Sequence, residues 1–218
     1  LMKFLHISDL HLGKRLSEFS LIEDQKFIIL KILQCIDEKK PDALLIAGDV
    51  YDKGIPPLQA VSLLDDFLTK IWKRKIPCFV ISGNHDSAER LSFCSKLMEE
   101  GKIYVSKSYD GNVTPIELKD EFGPVNIYML PFISPVEKSF TEAVEQAVQK
   151  MNVDVSKRNV LISHQLVTGA ERSDSEDLNF GGAEDVAIEV FDCFDHVALG
   201  HIHKPQKCGR EFVRYSGT

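Results

Sequence analysis

The chain has 218 residues, of which 44% are hydrophobic and 27% charged, as is typical of a globular domain with a sizeable core. It contains no run of about 20 apolar residues, so a membrane-spanning helix is not expected. The formal net charge of −7 argues against a protein that binds nucleic acid through the electrostatic attraction of its whole surface. Any contact with nucleic acid must therefore come from local basic groups, metal ions or a partner.

The first half of the chain repeats one pattern three times. Each unit consists of a short apolar strand, a polar loop and a helix with apolar residues along one face. Such repeats predict parallel strands joined by right-handed crossovers. The predicted strands are 3–7, 43–47 and 78–81, and the predicted helices are 23–40, 58–74 and about 88–98.

The second half is predicted to be richer in strands. It has strands at 112–118, 125–130, 160–163 and 197–199, and one helix near 140–151. The polar segment 168–182, TGAERSDSEDLNFGG, predicts a mobile surface loop near the functional site. Because no repeat, low-complexity tract or flexible linker interrupts the chain, we predict one domain.

The cysteines and the N-terminus indicate a reducing cytoplasm. The segment KFLHISD turns polar too early for the apolar core of a signal peptide. The five cysteines are scattered and form no C-x-x-C pair, so we expect free thiols that mostly fill the core.

Polar side chains follow five of the predicted strands. In an open α/β sheet the carboxyl ends of the strands form one edge, and ligands bind there. Five separate segments therefore deliver oxygen and nitrogen donors to one edge. These residues are Asp9 and His11, Asp49, then Asn84, His85 and Asp86, then His164, and finally His201 and His203.

Two carboxylates, one amide and four imidazoles are more ligands than one tetrahedral zinc site requires. They suit two ions of higher coordination number that share a carboxylate. Asp49 stands alone after its strand and is the natural bridge. A mixed nitrogen and oxygen set without thiolate favours Mn, Fe or Zn over Mg or Ca.

The charge of such a centre favours a phosphate substrate. Two divalent ions outweigh the two aspartates, Asp9 and Asp49, so the site attracts an anion, and the ions activate both water and phosphoryl group. His85 is surplus to the ligand count and can serve as the proton donor. Asp86 follows it, and we predict that Asp86 orients the ring of His85 and raises its pKa.

Each of these motifs is weak by itself. A single D-x-H, a single Gly-Asp or a lone histidine such as His164 is more often a capped turn or a structural residue. His6 and His196 fit no pattern and are interpreted as structural. A non-catalytic scaffold on the same fold should have lost ligands, whereas all seven are present here.

In this order, D-x-H, GD, GNHD, H and GHxH resemble the signature of calcineurin-like metallophosphoesterases. The longer strings FLHISDLHLGKR, DALLIAGDVYDKGIPPLQA, GNHDSAERL, MLPFISP, ALGHIHKPQ and VRYSGT resemble SbcD-type nuclease subunits, the bacterial counterparts of Mre-type nucleases. The resemblance implies an α/β fold, a four-layer α/β/β/α sandwich of two mixed sheets. It also implies two Mn²⁺ ions, with Mg²⁺, Fe²⁺ or Zn²⁺ as alternatives.

The resemblance implies a role for each site residue. One ion would be held by Asp9, His11, Asp49 and His203. The second would be held by Asp49, Asn84, His164 and His201. His85 would be the catalytic histidine.

The resemblance also implies the biological setting. Residues 2–218 would form the nuclease domain, with a capping domain and a partner-binding segment outside this sequence. The protein would act in the bacterial cytoplasm as an exonuclease on double-stranded DNA ends and an endonuclease on hairpins. Its partner would be an SbcC-type ATPase, and the resemblance suggests a homodimer through the helix after GDVYDKGIPP or its neighbours. The alternative is a phosphodiesterase or phosphatase acting on a small nucleotide or a phosphoprotein.

Overall fold

A computed structural model of the chain describes residues 1–171 and 185–218. Most of the predicted loop at 168–182 therefore lies outside the described residues. In chain order the elements are β1 (Phe4–Ile7), β2 (Arg15–Leu16), β3 (Phe19–Ser20), α1 (Ile22–Lys39), β4 (Ala43–Ala47), α2 (Leu58–Lys73), β5 (Cys78–Ile81), α3 (Ala88–Leu91), α4 (Ser95–Glu99), β6 (Ile103–Val105), β7 (Ile116–Asp120), β8 (Gly123–Leu130), α5 (Phe140–Lys150), β9 (Arg158–His164), a 3₁₀ helix (Ile188–Phe191), β10 (His196–Gly200), β11 (Gln206–Cys208) and β12 (Arg210–Tyr215).

Two sheets carry the fold. The smaller sheet has the order β1-β4-β5-β6, and all its pairings are parallel. The larger sheet has the order β11-β12-β10-β9-β8-β7, with parallel pairing in its centre and antiparallel pairing at both edges. Strands β2 and β3 form a separate two-stranded hairpin.

Three apolar clusters hold four layers together. The first packs α1 and α2 against the outer face of the smaller sheet. The second packs α5 and the 3₁₀ helix against the outer face of the larger sheet. The third fills the space between the sheets with alternate residues of β4, β5, β8 and β9. The predicted α/β/β/α sandwich is confirmed, with one sheet wholly parallel and the other mixed.

Several local predictions differ from the structure. The helix expected at about 88–98 is two short helices, α3 and α4, because Cys94 takes a left-handed backbone with φ 61°. The strand expected from 112 begins at Ile116. The strands β2, β3, β6 and β11 have only two or three residues, too few to show a pattern, and β12 was also not predicted. Of the five cysteines only Cys78 and Cys208 are buried, so the expectation that most fill the core is wrong.

The parallel strands of both sheets end at the same side of the sandwich. At that side β4 of the smaller sheet lies against β9 and β10 of the larger one. None of the helices in the described ranges is long and apolar enough to cross a membrane.

Candidate metal centre

Five strand ends converge between the two sheets. Strands β1, β4 and β5 of the smaller sheet lead to Asp9 and His11, to Asp49, and to Asn84 and His85. Strand β9 of the larger sheet ends on His164, and β10 leads to His201 and His203. The structure brings all seven predicted ligands together, as well as His85.

Four of these residues have left-handed backbone conformations. The φ angles are 55° at Asp9, 42° at His11, 48° at Asp49 and 97° at His201. Such conformations cost about 1–3 kcal/mol each in residues other than glycine. Backbone hydrogen bonds hold two of them: the N–H groups of Asp9 and His11 donate to the carbonyl groups of Gly48 and Asp49, both at 3.0 Å.

A glycine precedes three of the candidate ligands because another strand end approaches it closely. A Cβ on Gly48 would overlap the ring of His164, and one on Gly83 would overlap the carboxylate of Asp49. A Cβ on Gly200 would overlap the carbonyl oxygen of Ala47 on the opposite sheet. The glycines of the GD, GNHD and GHIH strings therefore make room for the site.

One oxygen of Asp49 lies at the centre of the arrangement. Its Oδ2 is 3.7 Å from Nε2 of His11 and 3.5 Å from Nε2 of His164. The other oxygen, Oδ1, accepts a hydrogen bond of 2.9 Å from the backbone N–H of His85. Because Oδ1 is engaged, Oδ2 faces both groups of donors, as a bridging ligand would.

Two groups of donors flank that oxygen. On one side Nε2 of His11 and Nε2 of His203 are 3.2 Å apart, and the latter is 4.0 Å from Asp9. On the other side Oδ1 of Asn84 is 3.0 Å from Nε2 of His164 and 3.0 Å from Nδ1 of His201.

The donor set fits divalent ions. Ring nitrogens and carboxylate oxygens of Asp9, His11 and His203, and of Asp9, Asp49 and His164, lie within 4.8 Å of one another. Imidazole and carboxylate together suit Zn, Mn and Fe.

Neighbouring groups fix the orientation of the donors. Nδ1 of His164 lies 2.7 Å from the carbonyl oxygen of Ala47, which only accepts, so Nδ1 carries a hydrogen and Nε2 is the ring nitrogen turned towards the centre. The carboxylate of Asp9 accepts from the backbone N–H of His201 at 3.0 Å and from the hydroxyl of Ser8. Both arrangements turn a potential ligand atom towards the centre.

Burial sets the charges of these groups. It lowers the pKa of His11 and of His201 to about 3, so both rings are neutral at pH 7, the form that binds metal. Burial opposes ionisation of Asp49, but His164 outweighs it and holds the pKa of Asp49 below its usual range. Burial alone would lower the pKa of His164, whereas Asp49 raises it to about 9. The two form a buried ion pair, and a bound cation would take the place of the proton.

His85 stands at the mouth of the site. Its side chain is 43% exposed, and its Nε2 lies 3.9 Å from Oδ2 of Asp49. Its Nδ1 is 3.0 Å from the backbone carbonyl oxygen of Asp52, so Nδ1 donates and Nε2 faces the centre.

The structure corrects the prediction that Asp86 orients this ring. The carboxylate of Asp86 accepts three backbone hydrogen bonds instead, from the N–H groups of Gly83, Val50 and Tyr51 at 2.9, 3.0 and 2.8 Å. Asp86 therefore ties the GNHD loop to the loop after β4, and the contact on the His85 ring comes from Asp52.

Sequence reasoning missed three residues around the centre. Asp52 places a carboxylate oxygen 3.6 Å from Nδ1 of His11, and its only sequence signal is the second acidic residue of GDVYD. Gln25 of α1 donates to the carbonyl oxygen of His11 at 2.7 Å, and nothing in a helix pattern marks it. Phe132 packs edge-on against His164 and follows β8, but an apolar residue escapes a search for polar strand ends.

Residues 2–205 match the model of the family described as Calcineurin-like phosphoesterase. The chain is 36% identical over 231 aligned positions to the SbcD subunit of the nuclease SbcCD from Staphylococcus epidermidis. That match covers all of this chain and 61% of the relative, so the chain spans about three fifths of the length of this relative.

Solved structures share the fold. The protein TT1561 of Thermus thermophilus superposes with a TM-score of 0.61 at 12% identity, over 100% of this chain and 90% of that one. A dimetal phosphatase from Danio rerio superposes with a TM-score of 0.57 at 12% identity, over 98% of this chain and 86% of that one. At these identities the likeness concerns the fold alone.

Proposed function

Because the chain belongs to the calcineurin-like phosphoesterase family, we propose that it is a two-metal phosphodiester hydrolase whose substrate is DNA. The observation that carries the proposal is the position of Asp49 Oδ2 between two groups of donors, with an exposed histidine beside them. With ions bound, the site would combine an anion-attracting centre with a proton donor at its mouth.

The proposed ligand sets share Asp49. Asp9, His11, Asp49 and His203 would hold one ion, and Asp49, Asn84, His164 and His201 would hold the other. When bound, the ions would polarise the phosphoryl group and lower the pKa of a water molecule. The mixed nitrogen and oxygen set supports Mn, Fe or Zn rather than Mg or Ca, and we propose manganese.

The proposed role of His85, in its imidazolium form with a hydrogen on each ring nitrogen, is to donate the Nε2 proton to the leaving oxygen. The carbonyl oxygen of Asp52 fixes the ring through Nδ1, which keeps Nε2 turned towards the scissile phosphate. Asp86 assists indirectly, because it holds the loop that carries both Asn84 and His85.

The proposed substrate and partner are supported by the similarity to a protein named as a nuclease subunit. We propose that the chain acts on double-stranded DNA ends and hairpins together with an SbcC-type ATPase. The net charge of −7 supports a partner, because the domain's own field repels DNA. We also propose a homodimer through the groove between α2 and α4, where Trp72, Phe93 and Leu97 are all more than half exposed.

A second candidate is hydrolysis of a small nucleotide or a phosphoprotein by the same centre. The negative net charge favours it, because a small ligand needs no extended basic surface.

A parallel assay distinguishes these functions. The protein is incubated with Mn²⁺ or EDTA and offered linear duplex DNA, bis-p-nitrophenyl phosphate or a cyclic nucleotide, with and without an SbcC-type partner. We expect Mn²⁺-dependent cleavage of DNA that the partner increases. Cleavage of the cyclic nucleotide with no cleavage of DNA would favour the second candidate.

The same assay tests His85. We expect His85→Asn to bind both ions in calorimetry, yet to lose about 10²–10⁴-fold in kcat, because it removes the proton donor. His196→Asn is the matched control, because His196 begins β10 at the end opposite the site. Full activity of His85→Asn would remove this residue from the mechanism.

A further inference from the structure

A cavity of about 730 Å³ opens from the candidate metal centre on the side of Asn84 and His201. Its other walls come from the segment after the GNHD string, from the loop after β6 and from the segment between β8 and α5. Its volume falls in the range of small-molecule pockets, so it can hold a group larger than the reacting phosphate.

An aromatic wall leads from the centre into this cavity. The ring of Phe132 lies nearly parallel to that of His201, with 21° between the planes and 6.2 Å between the centroids. Phe140 continues the wall at 6.2 Å from Phe132. The backbone N–H of Phe132 donates to the carbonyl oxygen of Ser82 at 3.0 Å, which anchors the ring beside the GNHD loop. An aromatic surface therefore starts at a candidate metal ligand.

The polar groups of the cavity do not suit a second phosphate. Among the described residues that line it there is no lysine or arginine, whereas Asp86 and Glu89 are both present. Each oxygen of Glu89 accepts one hydroxyl hydrogen bond, from Ser108 at 2.6 Å and from Ser87 at 3.1 Å. A carboxylate has about four acceptor positions, so Glu89 can accept further hydrogen bonds.

We propose that this cavity binds the nucleobase next to the scissile phosphate, stacked on Phe132. A base has a flat uncharged face that can stack on the Phe132 ring. Adenine and cytosine also carry an exocyclic amine that can donate a hydrogen bond to the carboxylate of Glu89. The inference rests on the proposed function and adds one requirement to it: the base leaves its duplex partner before cleavage. A protein with this subsite would cleave frayed ends and hairpin loops in preference to closed duplex.

The test uses single-stranded hexanucleotides with Mn²⁺. In the first set every position carries a base. In the second set a single internal nucleotide is replaced by an abasic tetrahydrofuran unit. Cleavage is mapped on both sides of that unit, so the polarity of digestion need not be known. We expect the protein to cleave one of the flanking phosphates more slowly in the abasic strand, by on the order of ten-fold in kcat/KM, because stacking is lost.

Three variants assign this discrimination to Phe132. Phe132→Leu keeps the packing against His201 but lacks a flat face, so it should cleave both strands at similar rates. Phe132→Tyr keeps the flat face and should discriminate as the unaltered protein does. Phe122→Leu is the matched control, because Phe122 is an exposed phenylalanine in the turn between β7 and β8. Mn²⁺ titration calorimetry verifies that each variant retains the centre.

The outcomes separate the two proposals. No cleavage of either strand by the unaltered protein would contradict the proposed function. Cleavage of both strands at equal rates would overturn the base subsite and leave the nuclease function standing. Discrimination that persists in Phe132→Leu would overturn the assignment to this wall.

Discussion

At the scale of single residues, the candidate centre requires glycine at three positions, because a side chain would not fit there. Gly48, Gly83 and Gly200 each occupy a position where a Cβ would overlap a ligand or the opposite sheet. The requirement is steric and lies between strands far apart in sequence, so it constrains these positions more tightly than turn geometry alone.

We predict that Gly200→Ala loses metal binding and destabilises the fold by about 2 kcal/mol or more, because its Cβ would push β10 away from Ala47 and His164. Mn²⁺ titration calorimetry and urea unfolding measure the two effects. Gly54→Ala is the matched control, since a Cβ there meets its nearest atom at 3.7 Å, an ordinary contact. Unchanged Mn²⁺ affinity in Gly200→Ala would show that the sheets can separate without loss of the centre.

At the scale of elements, β1 packs its His6 towards the larger sheet. Burial, together with the smaller effect of His196, lowers the pKa of His6 to about 3, although a hydrogen bond to the backbone of Leu199 opposes both. Among the described residues, Nε2 of His6 has no hydrogen-bond partner. The ring is therefore neutral in the folded protein and acquires a proton readily only on unfolding.

We predict that this contact makes the fold acid-sensitive. Between about pH 6.5, the pKa of an unfolded histidine, and pH 3, the unfolded chain binds a proton that folded His6 does not. The free energy of unfolding should decrease by up to about 1.4 kcal/mol per pH unit as the pH falls through this window. Above the window His6 should have no effect on it. The free energy of unfolding in urea, measured with EDTA from pH 7 to pH 4, reports the slope.

His6→Gln isolates the contribution of this residue. Glutamine does not titrate, so the variant should lose less stability than the unaltered protein as the pH falls. Other buried histidines, such as His11, titrate in the same direction but are present in both proteins. Parallel stability profiles would show that His6 is not protonated on unfolding.

At the scale of the whole molecule, the candidate ligands come from both sheets. Asp49 belongs to the smaller sheet, and His164 and His201 belong to the larger one. Ions bound there would therefore join the two halves of the sandwich, across the third apolar cluster.

We predict that Mn²⁺ raises the melting temperature by about 10–20 °C at an ion concentration about 100-fold above Kd, since that excess contributes about 2.7 kcal/mol at each of the two proposed sites. Differential scanning calorimetry with Mn²⁺ and with EDTA measures the shift. Asp49→Asn weakens the shared ligand and should abolish most of it. An equal shift in Asp49→Asn would mean that the ions bind elsewhere.

Much of this organisation is visible in the sequence, because it depends on local patterns. The apolar strands, the polar residues at their ends and the rule that parallel strands end at one edge predict which side chains meet. The layers follow from strand–loop–helix repeats in the first half. Short strands such as β6 and the break at Cys94 have no local pattern and were not predicted.

The sequence by itself determined that Asp9, His11, Asp49, Asn84, His164, His201 and His203 would lie together, because each follows an apolar strand. Only the tertiary structure decided which atom each presents and which neighbour it contacts. Asp86 binds backbone rather than the His85 ring, Asp52 takes that contact, and Phe132 adds an aromatic wall. The physical reason is that these contacts join separate strands and loops across the two sheets, at distances set by packing rather than by spacing along the chain.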